Sequence, residues 1–161
     1  MAWRPSPRLF RVLVNLWPPF RGAGIRVRFI APDWSEVQVE LREELLNRNF
    51  VGTHFGGSLF AMADPFYMIM LLQLLGDDYV VWDQAAEIAY LKPGRGTVTA
   101  KFALSPADVA GLREAAAGGA RVLKDFPVEI LDAGGEVVAR IVKRLYVRQK
   151  KRLRDVAAAA A

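Results

Sequence analysis

Residues 59–75 form an almost unbroken apolar run in which Asp64 is the one charged side chain and Pro65 follows directly behind it. A helix that is apolar on every side has no face to offer water, so the rest of the protein must enclose it. A chain of 161 residues can do this within one domain that buries a sizeable core. A membrane span is the competing reading. The 17 residues of the run rise only about 26 Å as a helix, against roughly 30 Å of hydrocarbon, and Asp64, Pro65 and Gln73 interrupt it. A helix buried in protein, running approximately over residues 56–75 and stopping at Gly76-Asp77-Asp78, is the better fit.

The remainder of the chain supplies the wrapping. Residues 8–17 carry an apolar stripe at helical spacing, closed by Pro18 and Pro19. Residues 25–30 alternate Ile25, Val27 and Phe29 with Arg26 and Arg28, and residues 36–41 alternate again through Val37, Val39 and Leu41. With Pro32-Asp33 between them, these segments predict a hairpin. Residues 42–53 have no sustained period and read as a loop with a short helical turn. Strands are expected over residues 79–90, 96–104, 122–131 and 136–147, the last two joined by the hairpin turn Asp132-Ala133-Gly134-Gly135. Ser105-Pro106-Ala107-Asp108 begins a short helix that ends at Gly118-Gly119. One buried helix and about six strands, mostly hairpin-connected, imply an α+β architecture: an antiparallel sheet curled around the helix.

Several chemistries are excluded or narrowed. The chain has no cysteine, which removes disulfides, thiolate metal sites and a cysteine nucleophile. His54 is the only histidine, so one chain cannot build a multi-histidine metal site, and no metal or redox cofactor is indicated. The net charge of +5 is local: Arg148, Lys150, Lys151, Arg152 and Arg154 account for it, and the other 17 basic residues balance the 17 acidic ones. Such a tail is either a solvated end or a contact for phosphate on nucleic acid, membrane or coenzyme. A nucleic-acid partner is not expected. The N-terminal apolar run Val12-Leu13-Val14 is short, is followed by Asn15 and Pro18-Pro19, and lacks a small-residue cleavage site. A signal peptide and a transmembrane segment are therefore not expected, and the protein is read as cytoplasmic.

The chemistry-bearing segment lies at the start of the buried helix. Asn49, the Gly56-Gly57 pair and Asp64 resemble the active-site segment of hotdog-fold acyl-CoA thioesterases of the phenylacetyl-CoA thioesterase-like kind, with seven positions from Asn49 to Gly56 and eight from Gly56 to Asp64. Gly52-Thr53-His54-Phe55-Gly56-Gly57-Ser58-Leu59-Phe60-Ala61-Met62-Ala63-Asp64-Pro65, Val81-Trp82-Asp83 and Tyr90-Leu91-Lys92-Pro93-Gly94 resemble the DUF4442 branch, a group of tetrameric acyl-CoA thioesterases. The resemblance extends over residues 10–148. It implies a hotdog domain at 21–148, preceded by a helical segment at 1–20 and followed by a basic, Ala-rich tail at 149–161. Two positions depart from the pattern. Phe55 stands where a histidine usually precedes the glycine pair, with His54 one residue earlier. Pro65 removes the N–H that would bond the Ala61 carbonyl, which predicts a kink.

On this resemblance the Gly56 N–H stabilises the oxyanion of a thioester, and Asp64 is the general base or the nucleophile. Asn49 holds the attacking water or the carboxylate. Each residue also has a plainer reading: tight backbone packing for Gly56 and Gly57, an ion pair or a cap for Asp64, and a loop bond for Asn49. His54, Phe55 and Ser58 flank the glycines as candidate substrate contacts. Phe60 and Tyr67 line either an acyl channel or the core, and Lys92 and Arg95 are candidates for the coenzyme A phosphates. Asp83, in an apolar strand, calls for a partner if buried. In a straight helix Gly56 and Asp64 would lie about 12 Å apart, whereas one thioester needs both within about 3 Å. Two antiparallel copies could bring Gly56 of one subunit to Asp64 of the other, so the reading demands a homodimer, with a tetramer in keeping with the branch. The expected substrate is an acyl thioester of coenzyme A or of an acyl carrier protein. The alternatives are a non-catalytic hotdog module that binds acyl-CoA or acyl-lipid, a scaffold, or a hydratase or dehydratase.

Overall fold

The structure is a computed structural model and describes residues 4–150, so most of the basic, Ala-rich tail, from Lys151 onward, lies outside the described residues. Six strands, β1 (Ile25–Ile30), β2 (Glu36–Arg42), β3 (Tyr79–Tyr90), β4 (Thr97–Ala103), β5 (Arg121–Leu131) and β6 (Val137–Gln149), form one sheet. Its order is β1-β2-β4-β5-β6-β3, and every pairing is antiparallel. Among the described residues five α-helices accompany it, α1 (Pro7–Leu16), α2 (Pro18–Ala23), α3 (Gly56–Ala61), α4 (Phe66–Leu75) and α5 (Pro106–Ala115), with a short 3-10 turn at Ala117–Gly119.

Local chemistry explains these elements. In β4 the even positions Val98, Ala100 and Phe102 are buried and the odd ones face water, the period-two pattern of a half-buried strand. The β1–β2 hairpin sets Ile25 opposite Leu41 and Val27 opposite Val39. Its turn holds Trp34 at φ 64°, a left-handed conformation unusual for a bulky residue. Burial of the Trp34 ring and its edge contact with Phe10, 5.4 Å between centroids, offset that strain. Ser105 caps α5, donating to and accepting from Asp108 in a capping box. The Ser105 hydroxyl, helped by Lys124, holds the Asp108 carboxyl down at about 2.

The enclosed segment Gly56–Leu75 is helical, as its apolar character requires, but Pro65 divides it. Pro65 cannot donate to the Ala61 carbonyl, so α3 ends at Ala61 and α4 restarts at Phe66 after a turn. The pieces are 6 and 10 residues long; the longer rises about 15 Å, half a bilayer core. Phe66, Met70 and Leu71 of α4 are fully buried against the sheet. An aromatic chain runs through the core, with Phe66 and Tyr67 both packed on Phe102, and Tyr67 also on Phe126.

One feature differs from the sequence reading. Pro18-Pro19 opens a second short helix instead of ending helical structure, because proline is well tolerated in a first turn. The link between β3 and β4, whose geometry the sequence reading leaves open, is a crossover: β3 pairs with β6 at the sheet edge and β4 lies between β2 and β5.

Candidate active site

The loop before α3 is organised by Asn49. Its Oδ1 accepts from the N–H groups of Val51 and Thr53, and its Nδ2 donates to Thr53 Oγ1 at 2.8 Å and to the His54 carbonyl at 3.1 Å. All the bonds an amide side chain can make are thereby turned on the loop itself. Gly52, at φ 76°, supplies the left-handed turn, and Arg95 donates to its carbonyl. The His54 N–H donates to the Gly94 carbonyl, joining this loop to the residues that follow β3.

His54 is only 3% exposed. Nε2 lies 2.9 Å from the Gly96 carbonyl, which can only accept, so Nε2 carries the proton and Nδ1 holds a lone pair. That Nδ1 is buried with no hydrogen-bond partner among the described residues. Burial pushes the imidazole below its ordinary value, against an opposing pull from the Gly96 carbonyl.

Gly56 and Gly57 open α3 without a side-chain cap, leaving the first N–H groups of the helix for other partners. Both glycines sit under aromatic rings. A Cβ on Gly56 would lie 3.0 Å from Tyr90 Oη, and one on Gly57 would lie 2.3 Å from Phe55 Cε1. Tyr90 Oη also donates to the Gly56 carbonyl at 3.1 Å. Around them a cleft of about 590 Å³ is bounded by Asn49, His54, Phe55, the glycine pair, Tyr90 and Lys92.

Asp64 lies in a different cluster. In the turn between α3 and α4, its Oδ1 accepts from Lys143 Nζ at 2.6 Å. Lys143 is 1% exposed, in phase with Ile141 and Leu145 on the inward face of β6. Asp83 Oδ1 lies 3.0 Å from the same ammonium, near in charge but without the alignment of a hydrogen bond. A register shift between Asp83 and Ala85 marks a bulge at this point of β3. Burial drives the Asp83 carboxyl above its ordinary value, with Lys143 acting in the opposite direction. The Phe60 ring lies 5.6 Å from Lys143 Nζ, a cation–π distance. The Asp64 side chain stays 48% exposed, so one side faces the ammonium while the rest is open.

The sequence model of the DUF4442 family, a domain of unknown function, matches residues 6–147. The chain belongs to the DUF4442 family. Among curated proteins none matches. In the solved structures this DUF4442 chain is similar to PA5026 of Pseudomonas aeruginosa, a protein of unknown function and probable thioesterase, at 20% identity and TM-score 0.78, covering 92% of this chain and 99% of that one. It is also similar to the thioesterase HI1161 of Haemophilus influenzae, at 14% identity and TM-score 0.65, covering 95% and 99%. The PaaI protein of E. coli, from the phenylacetic acid degradation operon, follows at 16% identity and TM-score 0.57, covering 89% and 92%. These likenesses identify the hotdog fold.

Within that fold the DUF4442 chain gathers Asn49, His54, Phe55, Gly56, Gly57 and Lys92 around one cleft and places Asp64 elsewhere. Ser58 is buried in α3. Tyr67 is a core residue whose hydroxyl donates to the Pro127 carbonyl and is pushed up to about 12 by burial. Lys92 is held by Asp132 and Glu136, the pairing with Asp132 above all raising its titration. Lys143 is the residue the sequence reading passed over; a lysine at an inward position of an apolar strand was the available signal.

Proposed function

We propose that this protein is an acyl-CoA thioesterase of the cytoplasm, active as a homodimer paired through β3 and able to assemble further into a tetramer. The observation that carries the reading is Asp64, a half-exposed carboxylate fixed by a buried lysine and standing apart from the Gly56 cleft. A surface acid needs no such anchor, and an acid kept only for an ion pair need not face outward.

The strand β3 supplies the ruler for a shared site. Tyr90 touches Gly56 at one end, and Asp83 shares Lys143 with Asp64 at the other. Seven residues of strand separate them by about 23 Å. β3 is the sheet edge, and from Trp82 to Tyr90 its residues are exposed or only half-buried. An open, largely apolar edge of this length favours pairing with another strand. If two β3 strands pair antiparallel about an axis near Ala86 and Glu87, the Asp83 end of one meets the Tyr90 end of the other. Asp64 of one subunit then approaches Gly56 of its partner.

In that site the Gly56 N–H donates to the thioester oxygen as it becomes an oxyanion. Asp64 either takes a proton from water as the water oxygen bonds to the carbonyl carbon, or attacks that carbon itself. In the first route the carbon–sulfur bond then breaks and Asp64 passes its proton to the departing thiolate; in the second the bond breaks to leave a mixed anhydride on Asp64, which water hydrolyses to the free acid, its proton going to the thiolate. Lys143 holds the carboxylate in place, and Asn49 contributes by shaping the loop ahead of Gly56. Phe55, Gly57 and Tyr90 bound the space for the substrate, with His54 Nδ1 as a buried acceptor beside it. Lys92 would exchange an acid partner for a coenzyme phosphate. A non-catalytic acyl-CoA-binding module is the second reading, favoured by the bond between Asp64 and Lys143, which satisfies the acid without chemistry.

Thiol release from a panel of acyl-CoAs separates the two. Wild type should hydrolyse at least one, Asp64→Asn should lose at least about a hundredfold in rate, and mixed Gly56→Pro and Asp64→Asn subunits should recover part of it. Binding without hydrolysis by wild type would replace the enzyme with the binding module. A lack of rescue in verified heterodimers would end the shared-site reading.

A further inference from the structure

At the sheet edge opposite β3, helix α1 carries an apolar stripe that none of the described residues covers. Phe10 and Val14 turn inward, and Asn15 exchanges hydrogen bonds with the backbone of Val27. On the other side Leu9, Val12, Leu13 and Leu16, spaced i, i+3, i+4, i+7, are 49, 53, 43 and 57% exposed, and the adjoining Trp17 is 50% exposed. Isolated exposed leucines are ordinary, but a complete helical stripe ending in a tryptophan is a contact surface.

Its surroundings are cationic. Residues 1–32 hold six arginines and no acid. Arg4 pairs with Asp77 and Arg28 with Glu40, while Arg8, Arg11, Arg21 and Arg26 have no ion pair among the described residues. Two adjoining clefts of about 460 and 400 Å³ run between α1 and β1, sharing Asn15, Leu16 and Arg26. Arg11 and Arg28 complete the first cleft and Arg21 the second, with Glu44 the one acid on either rim.

We propose that this face docks on an anionic phospholipid bilayer, the leucine stripe and Trp17 entering the acyl boundary and the arginines meeting lipid phosphates. A helix with apolar and basic exposed sides lies in the membrane interface in this way. Charge complementarity selects the occupant. Two copies of this face packed together would oppose arginine with arginine, and an acidic protein would leave the stripe without an apolar partner. The face lies five strands away from β3, so a dimer formed there leaves it open and presents it twice. The proposal does not depend on the thioesterase reading.

The full chain is tested by co-sedimentation with vesicles of phosphatidylcholine, alone or with about one-third phosphatidylglycerol. Each arginine near an anionic surface is worth about fivefold in partitioning, so Arg8→Gln/Arg26→Gln should bind phosphatidylglycerol vesicles about 25-fold more weakly. Leu9→Ser/Leu13→Ser should weaken binding by at least about tenfold with every arginine present. Lipids brominated on the acyl chain should quench wild-type fluorescence, and Trp17→Phe should remove part of that quenching. Equal binding to both vesicle types, or none, overturns the proposal. So does a leucine variant that binds like wild type, which would reduce the effect to charge alone. A leucine variant that falls from a larger assembly to a smaller one in light scattering would assign the stripe to a second copy and overturn it equally.

Discussion

Replacing Lys143 by methionine, close to it in length but uncharged, separates the roles of the buried ammonium. Wild-type Lys143 sits 2.6 Å from Asp64 and 3.0 Å from Asp83, almost wholly out of water. Removing one member of a fully buried ion pair costs about 3–5 kcal/mol, chiefly from the charge left behind. Here both acids retain contact with water, their side chains being 48 and 26% exposed, so the penalty is smaller, about 2–3 kcal/mol. For a chain of this size that lowers Tm by about 4–12 °C. The pH dependence has a definite sign. Asp83 is already above its ordinary value, and without the cation it rises further. The folded state then holds a proton that the unfolded state releases, so stability falls as pH rises through the window above 3.8. Urea titrations at several pH values should therefore show the variant approaching wild type under acid conditions. Adding Asp83→Asn to the methionine variant should return about half of the lost stability. Thioester hydrolysis should fall together with stability, and it should stay low in the double variant because Asp64 still lacks its anchor. A methionine variant as stable and as active as wild type at neutral pH would refute both roles.

Other outcomes can be checked on the same preparation. His54 titrates below 6.5 in the folded state because of burial, so its contribution is complete above 6.5 and is lost as pH falls through that value; His54→Gln should lose less stability than wild type between neutral and mildly acidic pH in thermal melts. Gly56→Ala should crowd the Tyr90 ring and cost about 1 kcal/mol, with partial relief from Tyr90→Ala in a double-mutant cycle read by urea. Leu71→Ala, in the fully buried face of α4, should cost about 2–5 kcal/mol without changing the residual KM, measured by denaturation and by kinetics well below the lowered Tm. Asn49→Ala removes four hydrogen bonds from the loop before α3 and should raise KM more than it lowers Tm.

Much of this architecture is legible in the chain because local physics and tertiary packing agree there. The strands Ile25–Ile30 and Tyr79–Tyr90 fall where their patterns place them, and the Asp132–Gly135 turn joins β5 to β6. Pro65 marks its own helix break through a missing N–H. What stays hidden is long-range. Nothing in residues 91–96 reveals that the chain crosses from the sheet edge to its middle instead of turning back. The companions of Asp64 are hidden for a similar reason: Lys143 is 79 positions away and meets it only when β6 is laid beside β3. Tyr67 illustrates the reverse, since an aromatic residue on the helix behind a glycine pair suits a channel or a core equally until Phe102 and Phe126 close around it.

In the proposed dimer paired through β3, the position of Asp83 and Tyr90 on one edge strand would make strand register a control on chemistry. Register slips that keep each side chain on its own face come in steps of two residues, and each step moves the partner by about 6.6 Å. A hydrogen-bonding group tolerates no such offset from a reacting carbonyl. A dimer slipped by one step would therefore keep its fold, its interface strands and every residue of the site, yet be silent. If the proposed dimer forms, substitutions along Ala85, Ala86 and Ile88 that touch neither cleft nor acid would act as a switch, by choosing the alignment in which the two subunits meet.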